Sequence, residues 1–394
     1  MKVFICLLIF FFTNTASSEA VWKIYIDADY SNNHKSSFSI ELGLRTALLK
    51  HNNMIAGRKA VVIPLDHRAN SRRSLRNLKN ALKDPEALCV FSGLHSPPVL
   101  ANKSFINKNK IPFLIPWAAA GPLTRSKQDF NAIFRLSIDD SKAGKFMAEY
   151  GQKQGFKNPL LILEDTGWGK SNFKTISKHL KSQNKKAVAT ERFKWGISQE
   201  TWQIKLRELI KKGPVDHIIF VGNSRDGHTM MKALIHNKAD LPILSHWGIT
   251  GSDFVDKLGL DNLKELKLNF IQSNYQLNSA ETQAAIKLAK TLAPDFIQDH
   301  YIPSPTGFIH SYDLSQILIA AAQNIPANSK AKDAQLTLIK SLENLTDPVQ
   351  GLIKTYSRPF TPYSTDFPDA HEALGYENFR MAYYTNKGQI ALKP

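Results

Sequence analysis

The chain has 394 residues, of which 43% are hydrophobic and 22% are charged, and 51 Lys and Arg against 34 Asp and Glu give a formal charge of +17. That length predicts two or three domains with sizeable cores, and the composition excludes an intrinsically disordered or collagen-like chain. The basic surplus leaves nucleic acid, anionic membrane surfaces and anionic ligands open as partners.

The first twenty residues have the layout of a secretory signal peptide. Lys2 gives a positive start, residues 3–12 form an unbroken apolar run, and Ala16, Ser18 and Ala20 offer small residues for cleavage. The apolar run is too short to span a bilayer comfortably. A buried N-terminal strand is the alternative interpretation. We predict a cleaved signal peptide over residues 1–20.

The two cysteines are consistent with export. Cys6 lies inside the apolar run and not at a cleavage point, so we expect no lipoprotein anchor. After cleavage only Cys89 remains, and one thiol cannot form an internal disulfide. No later stretch reaches the roughly eighteen apolar residues typical of a membrane span. We therefore expect a soluble protein of the bacterial periplasm.

From residue 21 to 270, short apolar runs alternate with longer amphipathic ones. Predicted strands lie at 21–27, 59–66, 87–93, 111–117, 131–137 and 158–165, followed by AVATERFK, VDHIIFVG and PILSH. Predicted helices lie at 38–51, 71–82 (capped by Ser71), 97–108, 141–155 and 169–183, followed by TWQIKLRELIKK and GHTMMKALIHN. Nearly all-apolar strands separated by such helices are typical of parallel sheets covered on both faces.

These strand–helix units exceed what one doubly wound sheet holds, so the sequence predicts an α/β protein with two doubly wound parallel-sheet lobes. In such sheets the binding surfaces lie at the carboxyl ends of the strands. After residue 280 the pattern changes to long helices, including 308–324 and 331–344, and the chain closes with a hairpin around Asn386-Lys387-Gly388. No linker separates the two series, so we expect several crossovers between the lobes.

Two segments partly resemble the motifs of known enzyme or metal sites, but neither has the residues that its motif requires at the required spacing. The GKS at 169–171 lacks the glycine that a phosphate loop needs five residues earlier, where Glu164 stands. The acidic start at 27–29 lacks the Gly and Glu of an EF-hand loop. Neighbouring His95 and Ser96 are no evidence for a nucleophile–base pair, and no other catalytic motif is present. We therefore expect no catalytic residue, no metal site and no cofactor.

The basic residues are spread along polar helix faces without interleaved aromatic residues or a nucleic-acid-binding motif. A solvated surface is the expected explanation, and nucleic acid is not an expected partner. Steering of an anionic ligand and attraction to an anionic membrane both stay open.

Several segments, in one order along the chain, carry a resemblance to a known family. They are 87–101, 111–124, 160–172 and 215–234, with 304–322 and 349–357 nearer the end. Together they resemble the type 1 periplasmic substrate-binding proteins of ABC importers, and among these the group that binds branched-chain amino acids and amides. The resemblance implies two lobes that close around a small solute and then dock on a membrane permease.

The resemblance also implies domain boundaries. The first lobe would comprise 21–136 with 273–350, and the second 137–272 with 351–394. The three segments of the hinge would cross between the lobes near 136–139, 270–275 and 348–356.

The resemblance places a ligand site on loops from both lobes. Ser96 falls on a serine that holds a ligand carboxylate in the family, and helix capping is the alternative role. Ala119 stands where the family has a second carboxylate-binding hydroxyl, so the backbone of Trp117, Ala118 and Ala119 would bind instead. Trp168, flanked by glycines, would be an exposed aromatic wall.

Asn223 falls on another contact position, and the family's acidic partner for a ligand ammonium falls near Trp247. No Asp or Glu lies between Leu244 and Gly251, and a buried unpaired cation is costly. Asp226 is an alternative partner, although its position better fits a helix cap. We therefore expect an aromatic or apolar carboxylate, a neutral amide or a cation held by aromatic rings, and not an ordinary branched-chain amino acid.

These observations predict a monomeric exported protein that captures a small amino acid-like, amide or carboxylate ligand and delivers it to an ABC permease in the inner membrane. A periplasmic sensory component that presents its ligand to a separate membrane receptor is the alternative. An exported hydrolase is a third hypothesis, which the missing motifs disfavour.

Overall fold

The computed structural model describes residues 20–251, 253–298 and 301–393. Residues 1–19 of the predicted signal peptide lie outside the described residues. None of the helices in the described part of the chain combines the length and the apolar character needed to cross a lipid bilayer.

The strands alternate with helices through most of the chain. They are β1 Trp22–Ala28, β2 Met54–Ile55, β3 Arg58–Asp66, β4 Ala87–Ser92, β5 Phe113–Ile115, β6 Ile133–Arg135, β7 Pro159–Glu164, β8 Ala189–Phe193, β9 His217–Val221, β10 Ile243–Ser245, β11 Leu268–Ser273, β12 Val349–Gln350, β13 Thr355–Tyr356, β14 Phe379–Tyr384 and β15 Ile390–Leu392.

The helices that connect and cover these strands are α1 His34–Lys50, α2 Ser71–Lys83, α3 Ser96–Asn109, α4 Asp140–Lys153, α5 Gly167–Ser182, α6 Gln199–Ile210, α7 Ser224–His236, α8 Phe254–Leu258, α9 Leu260–Lys264, α10 Ala280–Leu292, α11 Pro305–Ala322 and α12 Ala331–Glu343. Short 3₁₀ helices lie at Gly121–Leu123, Trp247–Thr250 and Tyr376–Asn378.

The first lobe is built on a sheet of strand order β2-β3-β1-β4-β5-β6. Its strands from β3 to β6 run parallel, and only the short β2 pairs antiparallel with its neighbour. Every residue of β4 is buried, as expected for a parallel strand covered on both faces. On one face α1 and α11 approach so closely that a Cβ at Gly43 would lie 2.3 Å from the carbonyl oxygen of Phe308.

The second lobe is built on a sheet of order β15-β14-β11-β10-β9-β7-β8. The strands from β11 to β8 are parallel, whereas β14 and β15 add an antiparallel hairpin at one edge. This hairpin confirms the prediction around Asn386-Lys387-Gly388. The structure thus confirms an α/β fold with two lobes and mainly parallel sheets.

Among the described residues, the chain passes between the two sheets after β6, after β11 and before β14. Helices α10 to α12 return to the first lobe, where α12 packs near β4. The chain then continues along the first sheet, because the backbone of Glu372 forms a parallel bridge with Arg135 of β6. It reaches the second sheet only at β14.

Several helix starts differ from those predicted. Helix α1 begins at His34, four residues earlier than expected, and α2 is capped by the Asn70 side chain and not by Ser71. Helix α3 begins at Ser96 itself, after His95 at the N-cap position. The predicted helix cap at Asp226 is wrong, because this residue lies inside the first turn of α7.

Candidate functional site

The loops that follow the parallel strands of the two lobes lie against each other. Trp117, after β5, is 6.3 Å from Trp247, after β10, measured between ring centroids. His95, after β4, is 5.7 Å from Trp195, after β8. Parallel sheets place their binding loops at the carboxyl ends of the strands, so these contacts put a candidate site between the lobes.

Ser96 holds the neighbouring loop of the first lobe. Its hydroxyl oxygen accepts a hydrogen bond from the backbone N–H of Ala120 at 3.2 Å, which leaves the hydroxyl hydrogen available for a ligand. Only 4% of Ser96 is exposed, so its hydroxyl group is shielded from bulk solvent.

The backbone of the loop after β5 is held by hydrogen bonds from side chains of β6 and the residues that follow it. Arg135 donates from Nη1 to the carbonyl oxygen of Ala119 at 2.8 Å, and Ser137 donates to that of Ala118 at 3.1 Å. Both carbonyl groups are therefore used within the lobe, so the N–H groups are the atoms of this loop suited to a ligand anion. Trp117, Ala118 and Ala119 are all buried.

Trp168 is buried, with an exposed fraction of 6%, so its predicted exposure is wrong. It lies in the first turn of α5, and its ring meets that of His246 edge-on at 4.9 Å. A Cβ at Gly248 would lie 2.6 Å from the ring atom Cη2 of Trp168. The missing side chain at Gly248 thus makes room for the indole, which the spacing of glycines around Trp168 could not reveal.

The tryptophan side chains carry hydrogen-bond donors into this contact. Within the described residues, the buried Nε1 atoms of Trp117 and Trp168 have no hydrogen-bond partner. Trp247 packs against His310 of α11 at 5.1 Å, so rings from both lobes surround the region. A solute with acceptor oxygens could satisfy these indole N–H groups on binding.

A cavity of about 40 Å³ lies between the lobes at the contact of His95 with Trp195. Its wall is formed from the first lobe by Asp29, Asn32, Asn33, Ala69 and His95, and from the second by Trp195, Asn223, Arg225 and Asp226. Of the residues predicted from the sequence, Asn223 and the alternative partner Asp226 line this cavity. The other predicted residues are buried and lie outside the cavity wall; they are Ser96, Trp117, Ala118, Ala119, Trp168 and Trp247.

The first-lobe wall is a hydrogen-bonded group around Asp29. The Nε2 atom of His95 lies 3.1 Å from the Asp29 carboxylate, and the Asn33 amide donates to it at 2.8 Å. Burial raises the pKa of Asp29, but the hydrogen bonds from His95 and Asn33 outweigh burial and hold this pKa well below its usual range. The hydrogen bonds from His95 and Asn33 therefore stabilise the negative charge of the Asp29 carboxylate.

The second-lobe wall is organised by Glu164 at the end of β7. Its carboxylate accepts from Trp195 Nε1 at 3.0 Å and from the Asn223 amide at 3.1 Å. Burial raises the pKa of Glu164 to about 7, and the charge of Asp226 acts in the same direction. Glu164 thus fixes the positions of two residues that line the cavity.

Asp226 completes the second-lobe wall from the first turn of α7. One carboxylate oxygen, Oδ1, accepts from the backbone N–H of Gly196 at 2.7 Å. The residue is 2% exposed, and burial raises the pKa of its carboxyl group.

Sequence reasoning missed Asp29, His95, Glu164 and Trp195. Each stands at or just after the carboxyl end of a predicted strand, which is the signal that could have found them.

Residues 37–375 match the family described as periplasmic binding protein. No curated protein matches the sequence.

Solved structures share the fold at low sequence identity. A type 1 periplasmic binding protein from Bordetella pertussis Tohama I has a TM-score of 0.79 and 18% identity, covering 95% of this chain and 100% of that one. A solute-binding protein of an ABC transporter from R. palustris, in complex with benzoate, has a TM-score of 0.77 and 15% identity, covering 94% and 95%. The branched-chain amino acid transporter substrate-binding protein LivJ from Streptococcus pneumoniae, in complex with isoleucine, has a TM-score of 0.75 and 20% identity, covering 95% and 99%.

Proposed function

The chain belongs to the periplasmic binding protein family, and from this premise we propose that it is an exported, monomeric solute-binding protein that delivers its ligand to an ABC permease in the inner membrane. The observation that carries the proposal is the cavity between the lobes, whose wall takes residues from loops of both sheets. A ligand that touches both walls stabilises the closed arrangement, because those contacts form only when the lobes meet.

The chain is a binding protein and not an enzyme, as the sequence predicted, because its family and its structural neighbours are substrate-binding proteins. Periplasmic location follows from the family and agrees with the signal-peptide-like start of the sequence. We propose that the two bodies that move follow the predicted lobe boundaries with one change. Residues 360–373, which the prediction gave to the second lobe, move with the first lobe because His371 and Ala373 pair with Arg135 of β6.

The candidate ligands remain a small amino acid-like molecule, an amide or a carboxylate. The neighbours described above bind benzoate and isoleucine, so a fold of this kind accommodates both a carboxylate without an amine and a complete amino acid. In this chain, the hydroxyl of Ser96 and the indole N–H groups of Trp117 and Trp168 lie outside the wall of the cavity, and they would bind acceptor oxygens of a ligand that extends beyond it into the contact between the lobes.

The test is solute-dependent closure of the purified mature chain. Small molecules released by denaturing the native protein are identified by mass spectrometry, and the refolded, ligand-free protein is then mixed with them. We expect a smaller radius of gyration by small-angle X-ray scattering and a higher melting temperature, since a ligand that binds only the folded state stabilises it. No change in either quantity with any solute would contradict a binding role.

The sensory alternative predicts the same binding but a different partner. Uptake of the identified solute by cells that lack this chain separates the two functions. Lost uptake indicates transport, whereas normal uptake with a lost transcriptional response indicates sensing.

A further inference from the structure

Helices α2, α3 and α5 are neighbours in the fold and contain basic residues but no acidic ones. None of the three includes an Asp or Glu, although the whole chain has 34 of these against 51 Lys and Arg. Helix α3 contacts both of the others. The Asn102 amide donates to the carbonyl oxygen of Ser71 at 3.0 Å, and a Cβ at Gly167 would lie 2.6 Å from Leu100 Cδ1. One side of the molecule, spanning both lobes, is therefore covered by helices without a negative side chain.

The exposed cations of α2 and α5 recur at helical spacing. On each helix four of them follow one another at intervals of three or four residues, so they share one face. We call these eight exposed residues the basic flank; they are Arg72, Arg76, Lys79 and Lys83 of α2 and Lys170, Lys174, Lys178 and Lys181 of α5. The four charges on α5 extend over about 17 Å at the rise of an α-helix.

Other side chains do not neutralise the basic flank. Among the residues that the structure describes, none of its eight members takes part in an ion pair, whereas Lys145 pairs with Glu149 on α4 and Lys257 with Asp253 at α8. The exposed Asp165 precedes α5, but the row of lysines begins in the first turn of that helix and continues to its last. Like charges one turn apart destabilise a helix, and an anionic partner would offset that effect.

The composition of the basic flank favours a lipid surface over a folded protein as its partner. Within the described residues, none of the exposed large hydrophobic side chains lies on α2, α3 or α5. Protein interfaces depend on aromatic and apolar anchors in addition to charge. Most members of the flank are lysines, whose flexible point charges suit headgroups that can move within a bilayer. Each Lys or Arg close to an anionic bilayer raises the affinity roughly fivefold.

We infer that the basic flank binds this protein to the surface of an anionic phospholipid bilayer. The inference goes beyond the proposed function, because solute binding between the lobes does not require it. It also replaces, for α2 and α5, the expectation that their basic faces are only solvated. A chain held at the bilayer has a raised local concentration near a permease of the same membrane.

Co-sedimentation with vesicles tests the inference on the purified mature chain. One set of vesicles contains equal parts of phosphatidylglycerol and phosphatidylcholine, and the other contains phosphatidylcholine alone. We expect binding to the anionic vesicles only, and its loss when the salt concentration is raised from about 50 mM to about 500 mM, because ions screen exposed charges. Inorganic phosphate should compete no better than sodium chloride of the same ionic strength, since the flank is a row of charges and not a site for one anion.

Neutralising the row on α5 is the decisive variant. It combines Lys170→Gln, Lys174→Gln, Lys178→Gln and Lys181→Gln. Glutamine is as good a helix former as lysine, so the fold should be kept, which circular dichroism checks. We expect the affinity for anionic vesicles to fall at least about tenfold.

The matched control removes the same charge from exposed lysines outside the basic flank, at the end of α6 and on α10. It combines Lys211→Gln, Lys212→Gln, Lys287→Gln and Lys290→Gln. We expect its affinity for anionic vesicles to fall by about threefold at most, because charges that lie farther than a Debye length from the bilayer are screened.

Three results would overturn the inference. They are equal binding to the neutral and anionic vesicles, equal affinities of the α5 variant and the control variant, and tighter binding to a short DNA duplex than to anionic vesicles at the same salt concentration. The last result would identify a nucleic-acid surface instead. The proposed function is tested separately, by the rise in melting temperature that solutes released from the native protein give to the same variants.

Discussion

The guanidinium of Arg135 binds the carboxylate of Glu372 through two hydrogen bonds, Nε to Oε2 at 2.7 Å and Nη2 to Oε1 at 2.6 Å, across 237 residues of sequence. The same guanidinium lies 2.8 Å from Asp139 and also binds the loop after β5. All three side chains are almost completely buried. This ion group joins the end of β6 to the returning segment of the chain, next to a crossover between the lobes.

We expect Arg135→Met to destabilise the protein by about 3–5 kcal/mol, because buried Glu372 would lose the guanidinium that binds both its oxygens and Asp139 would keep only Arg125 as a cationic partner. The measurement is the free energy of unfolding in urea, followed by circular dichroism. Lys264→Met is the control, since Lys264 forms an exposed pair with Asp261 that should contribute less than about 1 kcal/mol. Equal losses in the two variants would contradict the role given to Arg135.

The buried ion group also predicts sensitivity to acid. Burial raises the pKa of Asp139, but the charges of Arg135 and Arg125 outweigh burial and hold this pKa well below its usual range. The unfolded chain therefore takes up a proton at this residue before the folded protein does, so stability present above about pH 4 is lost as the pH falls. We expect the acid-induced loss of stability below pH 4 to be smaller in Asp139→Asn than in the wild type. Urea unfolding at pH 7, 4 and 3 measures it, and identical pH profiles would exclude this contribution.

Glu164 is expected to make the free energy of unfolding change with pH in the opposite direction, and at a higher pH. Burial raises its pKa to about 7, against 4.5 as the reference value, so the folded state keeps a proton that the unfolded state loses on the way from pH 4.5 to 7. The free energy of unfolding therefore falls as the pH rises through this window, by as much as about 3 kcal/mol for this group.

We expect Glu164→Gln to remove that part of the pH dependence. Buried Asp27 and Asp313, whose pKa values burial raises to about 6, are present in both proteins, so the difference between the profiles isolates Glu164. Urea unfolding between pH 5 and 8 provides the comparison. Parallel profiles for the wild type and the variant would show that Glu164 does not titrate there.

Most of the fold could be predicted because the parallel strands are continuous apolar runs and the helices between them are amphipathic. Helix ends were less predictable, since local sequence offers more than one capping residue. Asn70 and Ser71 are both good caps, and the structure uses Asn70. Helix α1 begins with the polar residues His34 to Ser37, and two of them are buried. Because none of the four is apolar, the hydrophobic periodicity that predicts a helix starts only after them.

The site was predicted less completely because it depends on which loops face each other across the lobes. Trp195 and His95 lie in contact although they come from different sheets, and no period or spacing in the sequence relates them. Asp226 was interpreted from its neighbours along the chain as a helix cap, whereas its carboxylate accepts from Gly196 in a different loop. Contacts of this kind depend on how the two lobes are arranged.

Gly248→Ala tests the packing at the tryptophan contact. The added methyl group would lie 2.6 Å from Trp168 Cη2 and 2.7 Å from the carbonyl oxygen of Gly222, so the indole must move. We expect a loss of about 1–3 kcal/mol in stability, as for other overpacked sites, together with weaker solute binding. Thermal unfolding and calorimetry measure the two effects. Wild-type values of both would mean that the ring has space that the structure does not show.

Trp168→Phe tests whether this indole contacts the solute, and Trp202→Phe is its matched control. Both indoles are buried, and within the described residues both Nε1 atoms lack a partner, but Trp202 packs against Phe193 inside the second lobe. We expect both substitutions to lower the melting temperature, because each shrinks a packed ring. Only Trp168→Phe should also weaken binding of the solute released from the native protein, by about fivefold or more, since it removes an indole N–H donor that the protein itself leaves unpartnered. Calorimetry with that solute measures the affinity, and unchanged affinity in Trp168→Phe would remove this residue from the site.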